Sequence, residues 1–205
     1  LDVYQSAGIL PIDVKGLNVD IVIGGCLKWL CGGPGNAFLY VRRDLCDKLE
    51  PATTGWLAHE SPFDFEPPPI RRRHDVWRFL SGTPPIPAHY AAMAGLDIVS
   101  QVGVPAIREN SVRQTSRIIA LADEAGLTVN SPRDPEQRGG TVSVDMPHAR
   151  EVAEELVRRN FLVDYRPGAG IRLSPHFYNT DEELDAVMAE IKKISMTKAS
   201  AGERV

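Results

Sequence analysis

A lysine at the end of an apolar run is the residue of this chain best suited to covalent chemistry. Val19-Asp20-Ile21-Val22-Ile23 leads into Gly24-Gly25-Cys26-Leu27-Lys28-Trp29-Leu30-Cys31-Gly32-Gly33-Pro34-Gly35. The pattern reads as a buried strand ending in a glycine-dense turn from which Lys28 projects. Burial of an amine disfavours its charged form, and the neutral amine is a nucleophile. The commonest use of such an amine is a Schiff base with a carbonyl, above all that of pyridoxal 5'-phosphate (PLP). The alternative is a surface lysine in a turn.

A carboxylate strengthens the first reading. The chain opens Leu1-Asp2-Val3-Tyr4-Gln5-Ser6-Ala7-Gly8, and Asp2 stands 26 positions before Lys28. PLP works best with an acid against its pyridine nitrogen, because the protonated ring is the better electron sink. The segment from Ile9 to Asn18 is long enough to cross back to a neighbouring strand, so that two adjacent strand ends deliver acid and amine to one crevice. An ordinary strand-end aspartate is the plainer account of Asp2.

These residues resemble a known family. Asp2-x-x-Gln5-x-x-Gly8, Pro11-x-Asp13, Asp20 and Lys28-x-x-x-Gly32-Gly33-Pro34-Gly35 are similar to the class V aminotransferase branch of the fold-type I PLP-dependent enzymes. Ser81-Gly82-Thr83-Pro84 is similar to the family's phosphate-contacting turn. Ile171-Arg172-Leu173-Ser174, followed by Tyr178-Asn179-Thr180-Asp181-Glu182-Glu183, is similar to its carboxylate-binding arginine and the helix start beyond it. The motifs run in family order over about residues 1–192. Gly55-Trp56-Leu57-Ala58-His59, the stretch Phe79 to Ile86 and Ser131-Pro132-Arg133-Asp134-Pro135-Glu136-Gln137-Arg138-Gly139 bring the resemblance closest to kynureninases.

The resemblance implies a PLP-dependent enzyme acting on a small-molecule α-amino acid. Lys28 would be catalytic. Asp2, Gln5, Lys28, Trp56, Gly82 and Thr83 would bind the cofactor, and Arg172 and His59 the substrate. Gln5 would meet the ring's phenolic oxygen, and Arg172, a planar fork of donors, the α-carboxylate. A plain salt bridge is the alternative for Arg172, an exposed loop imidazole for His59 and core packing for Trp56. In this family the Gly82-Thr83 turn reaches the neighbouring subunit's cofactor, which implies a homodimer with shared active sites. No metal is called for. The chain departs from kynureninases at Leu27 (their tyrosine), Gln5 (their histidine) and Thr83 (their asparagine). Transamination, hydrolytic kynureninase chemistry and carbon–sulfur lysis therefore all stay open. A cysteine desulfurase is disfavoured, since Asp164-Tyr165-Arg166-Pro167-Gly168-Ala169-Gly170 holds no cysteine.

Composition agrees. The net charge of −4 argues against nucleic acid as a partner. No apolar run approaches the roughly 20 residues that cross a bilayer. Three cysteines, Cys26, Cys31 and Cys46, read as reduced thiols of a cytoplasmic protein. A nucleotide-binding or flavodoxin-like domain rests on Gly32-Gly33-Pro34-Gly35 alone, without dinucleotide or Walker spacing.

The fold class expected is α/β: the C-terminal part of a PLP-transferase large domain over 1–103, a smaller α+β domain over 104–195, and a flexible tail over 196–205. Leu1-Asp2-Val3 looks like mid-strand, so the chain reads as the later part of a longer protein. A non-enzyme alternative follows, a fragment that cannot hold PLP without its earlier half. Strands are expected at Ala37–Val41, Leu127–Asn130, Thr141–Asp145, Leu162–Tyr165 and Gly170–Ser174. Helices are expected at Ile86–Val102, from Pro105 to about Ala125, at His148–Arg159 and at Asp181–Lys193. The last of these should start in a capping box between Thr180 and Glu183. Pro67-Pro68-Pro69 forbids regular structure there, and Arg71-Arg72-Arg73-His74 reads as a solvated loop or a subunit contact.

Overall fold

The computed structural model describes residues 1–202, and the side chains of 1–197. It divides into two compact units, Leu1–Val102 and Gly103–Val205.

In the first unit, β1 (Ile21–Gly25) and β2 (Ala37–Val41) form an antiparallel pair with Ile21 opposite Val41 and Gly25 opposite Ala37. Asp2 bridges in parallel to Ile23 on the other side of β1. Val3 N donates to Ile23 O at 2.8 Å, and Ile23 N to Leu1 O at 3.0 Å. The expected buried strand is half-buried: Val22 is 2 % exposed, but Ile21 and Ile23 are 38 and 50 % exposed. Side chains alternate across a strand, and only one face of β1 packs against the core. A short α1 (Arg43–Cys46) follows, then a loop-rich stretch, and the unit closes with α2 (Ile86–Val102). The basic run lies in that stretch and is laced with ion pairs. Arg71 pairs with Glu60 and Glu66, Arg73 with Asp75, and His74 stands 3.1 Å from Asp47.

The second unit opens with α3 (Val104–Glu124), which has Pro105 in its first turn and is followed by Gly126 at φ +70°, a left-handed geometry suited to glycine. Four antiparallel strands follow in the order β3-β4-β6-β5: β3 (Thr128–Val129), β4 (Val142–Asp145), β5 (Asp164–Arg166) and β6 (Gly170–Leu173). The core gathers Val142, Val144, Ile171 and Leu173 from the sheet with Ile118 and Ala122 from α3. Val152 and Leu156 join from α4 (Ala149–Arg158), and Leu184, Met188, Ile191 and Ile194 from α5 (Asp181–Gly202). Two boundaries in this unit differ from the sequence reading by more than one residue. β5 begins two residues late, leaving Leu162 95 % exposed. α5 runs past Lys193 to Gly202, so residues 196–202 of the expected tail are helical; 203–205 lie outside the described residues. The apolar stripe still buries Ile194, and no glycine or proline interrupts the chain before Gly202.

The capping box at the start of α5 is present. Thr180 N donates to Glu183 Oε2 at 2.8 Å and Glu183 N to Thr180 Oγ1 at 3.3 Å. Thr180→Ala should destabilise the second unit by about 0.5–2 kcal/mol in urea titration. The Glu183 carboxyl is held below its ordinary range, first by the Thr180 N–H and then by Asn179. That stabilisation is complete above the unfolded carboxyl's pKa and is lost as the pH falls through the lower, folded one. The deficit of Glu183→Ala, which removes that carboxylate, should therefore shrink in acid, and a deficit that is constant with pH would exclude the carboxylate from the cap.

Candidate active site

The lysine turn is built from backbone hydrogen bonds. Cys26 N donates to Asn36 O at 3.1 Å, Gly32 N to Cys26 O at 2.7 Å and Cys31 N to Lys28 O at 2.9 Å. Trp29 is buried and anchors the turn, while Lys28 points outward and is exposed. The desolvation argument made from the sequence is thus corrected: the turn lifts the lysine off the sheet instead of burying it. Among the described residues Lys28 Nζ has no ion pair, and its recorded contact is the Tyr4 ring, 5.4 Å to the centroid. The thiols beside it do not compete as nucleophiles, because burial pushes both Cys26 and Cys31 up. Cys26 is buried and Cys31 only partly so.

Asp2 and Gln5 stand on the neighbouring segment, both exposed. Asp2 Oδ1 accepts from Tyr4 N at 2.8 Å, which aims the carboxylate while leaving its other oxygen open. Ala7 N donates to Val3 O at 2.8 Å, so the chain turns immediately after the acid and brings Gln5 round with it. On its other side the lysine turn meets α2 almost backbone to backbone. A Cβ on Gly95 would lie 2.0 Å from Cys31 O, so only glycine fits. Ala92 packs toward Gly32, and Asn36 Nδ2 donates to Ala88 O.

Trp56, His59 and Gly82 form a second group in the same unit. Gly55 N donates to Leu80 O at 3.0 Å, which brings the Trp56 loop against the Ser81-Gly82-Thr83 turn. A Cβ placed on Gly82 would be 3.7 Å from Trp56 Nε1. Thr83 is exposed. His59 is not an exposed loop imidazole: it is 7 % exposed. Glu60 N donates to Arg71 O at 2.8 Å and Arg73 N to Ala58 O at 3.0 Å, a short ladder that folds the loop over the ring. His59 Nδ1 accepts from Ser61 N at 3.0 Å, which leaves the proton of the neutral ring on Nε2. Among the described residues buried Nε2 has no hydrogen-bond partner, and Glu66 Oε2 lies 3.6 Å away. The Arg71 guanidinium holds the Glu66 carboxyl below its usual range, so that oxygen is anionic. His59 and Trp56 line a cavity of about 340 Å³ with Phe65, Glu66 and Ile70. Sequence reasoning missed the last three. They sit in a proline-rich loop with no periodic signal, and only the ladder brings them to His59.

Arg172 lies in the second unit, on the sheet face opposite Ile171 and Leu173, as strand alternation expects. It is not free. Asp164 stands directly across on β5, and the guanidinium forks onto it: Nε donates to Oδ2 at 3.0 Å, and the second nitrogen binds the same oxygen. The side chains are 34 and 41 % exposed, so a competing carboxylate can reach them.

The donors present fit PLP. An amine free of ion pairs among the described residues, in the turn after β1, and a carboxylate with one unused oxygen, on the segment bridged to β1, are the groups that cofactor requires.

Comparison with known proteins agrees. Residues 107–191 match the kynureninase C-terminal domain. An uncharacterized aminotransferase of Bacillus subtilis (strain 168) is 39 % identical over 191 residues, covering 93 % of this chain and 50 % of its own length. A kynureninase of Burkholderia mallei (strain SAVP1) is 37 % identical over 174 residues, covering 80 % of this chain and 41 % of its own. The chain is similar to the kynureninase-like branch of the class V aminotransferase family, with the family model falling on residues 107–191. It spans about half the length of the curated relatives it matches. The fold is that of the C-terminal part of these enzymes: an apo cysteine desulfurase from Thermococcus onnurineus NA1 superposes with a TM-score of 0.86 at 25 % identity, over 96 % of this chain and 52 % of its own. Another match, at TM-score 0.80 and 22 % identity over 92 % of this chain and 49 % of its own, is a C-DES variant with glycine covalently linked to its PLP cofactor. Among the described residues no single helix is long and apolar enough to cross a membrane.

Proposed function

We propose that this chain carries the lysine-bearing part of a PLP-dependent enzyme acting on an α-amino acid, with aminotransferase-like or kynureninase-like chemistry. The observation that supports it most is the exposed Lys28 amine, without an ion pair among the described residues, in the turn after β1 and over the ring of Tyr4, whose N–H holds Asp2. Asp2, Gln5, Lys28, Trp56, Gly82 and Thr83 would hold the cofactor. When bound, PLP supplies an electron sink for charge developing at the substrate's α-carbon.

The protein's own part is proton handling and orientation. Lys28 Nζ takes and returns the proton at that carbon. The free oxygen of Asp2 accepts from the protonated ring nitrogen and keeps the proton there. Gln5 offers an amide donor without added charge. Arg172 binds the α-carboxylate by exchanging Asp164 for it, one carboxylate for another on the same fork. His59 Nε2–H, unpaired at the edge of a cavity lined by Trp56 and Phe65, donates to an acceptor on the substrate side chain. Kynurenine hydrolysis and carbon–sulfur lysis use the same set; Leu27, which has no hydrogen-bonding group, weighs against hydrolysis. A homodimer sharing its sites through the Gly82-Thr83 turn, in the cytoplasm where cysteines stay out of disulfides, completes the proposal.

The test is incubation with PLP, borohydride reduction and peptide mapping. The pyridoxyl group should fall on Lys28 in the native chain, and Asp2→Asn should weaken uptake about tenfold through loss of a charge-assisted hydrogen bond. Labelling spread over Lys15 and Lys48, with Lys28 no richer than they are, would remove Lys28 from its role.

A further inference from the structure

Tyr4 touches both members of the proposed pair. Its backbone N–H donates to Asp2 Oδ1 at 2.8 Å. Its ring lies under the Lys28 ammonium, 5.4 Å from Nζ to the centroid. The ring is fixed in that place by the end of β1: a Cβ on Gly25 would lie 2.1 Å from the ring's Cε2 and 2.6 Å from Cζ. The backbone on either side is pinned as well, with Val3 N bonded to Ile23 O at 2.8 Å and Ser6 N to Val3 O at 3.0 Å. One residue therefore orients the acid through its amide and the amine through its ring face.

We infer that Tyr4 is a positioning residue, which sets the placement of the Lys28 amine relative to the Asp2 carboxylate. A cation is drawn to the face of an aromatic ring, so the quadrupole of the phenol gives a flexible lysine stem a preferred resting place. A tyrosine or phenylalanine at position 4 supplies that face, and an aliphatic residue does not. Glycine at 25 is the matching half of the device, since any larger residue displaces the ring. The inference rests on the reading of Asp2 and Lys28 as a working pair, but the contact itself is open to measurement without the cofactor.

The experiment uses the full chain with its lysines converted to ¹³C-dimethyl derivatives, observed by NMR, beside PLP–borohydride labelling of unmodified protein. In the native chain the Lys28 resonance should be displaced by the ring current from those of Lys15 and Lys48. Tyr4→Phe should keep the displacement; Tyr4→Leu and Gly25→Ala should lose it while circular dichroism stays native. Labelling of Lys28 relative to Lys15 should fall about two- to fivefold in Tyr4→Leu and recover in Tyr4→Phe, the range a surface cation–π contact carries. An undisplaced Lys28 resonance in the folded native chain, or an unchanged labelling ratio in Tyr4→Leu, would overturn the inference. A displaced resonance that tracks the Tyr4 variants, in a native chain that PLP does not label at Lys28, would sink the cofactor role and leave the hold of Tyr4 on the amine standing.

Discussion

Lys28→Ala should abolish trapping of PLP at its peptide and leave the fold intact. The side chain is exposed and outside the hydrogen-bonded frame of its turn, which closes through Cys26 O, Lys28 O and Asn36 O. Truncating it removes one ring contact, so stability should stay within about 0.5 kcal/mol of the native chain, as for ordinary surface substitutions. No neighbour can stand in for the amine, because the nearby thiols are pushed toward their protonated forms by burial. Mass mapping after reduction gives the answer directly. A label that persisted at the same peptide in the variant would end the case for this lysine.

The largest stability effect should come from the residue beside the arginine. Ile171 is 0 % exposed in the middle of β6, among Val144, Leu156 and the α5 stripe. Ile171→Ala should destabilise the second unit by about 2–5 kcal/mol, from lost transfer energy plus an unfilled cavity. Arg172→Ala, one residue on, should change stability by less than about 1 kcal/mol, because the Arg172–Asp164 pair is partly solvated and such pairs contribute little. A small loss at Arg172 would fit the carboxylate-binding role proposed for it. Urea titrations of the two variants make the comparison, and a loss at Arg172 equal to that at Ile171 would mark the arginine as structural.

Much of this architecture could be read from local signals. α2 and α3 announce themselves through apolar spacing, a proline in the first turn and a glycine beyond the end, and Thr180-x-x-Glu183 needs no tertiary context to cap α5. The alternation Ile171-Arg172-Leu173 put the arginine on the correct face. What failed was non-local. Nothing near His59 in sequence shows that residues 71–73 fold back over it, and nothing near Arg172 shows that Asp164 will stand opposite. Hydrophobicity alone could not tell a half-covered β1 from a buried one. Lys28 was found by its glycines, but its exposure and its contact with Tyr4 depend on a segment more than 20 residues away.

The seating of α2 on the lysine turn has a mechanical consequence. With Gly95 against Cys31 and Ala88 and Ala92 against the following residues, no long side chain lies between helix and turn to act as a cushion. Such a joint transmits displacement and absorbs little of it, since close-packed atoms resist compression. The amine is thus mounted on a stiff base, and under the proposed function adjustment to differently shaped substrates falls to the Trp56–Ile70 loop. Changes of substrate preference should accumulate in that loop, and changes at Ala88, Ala92 or Gly95 should detune every substrate alike.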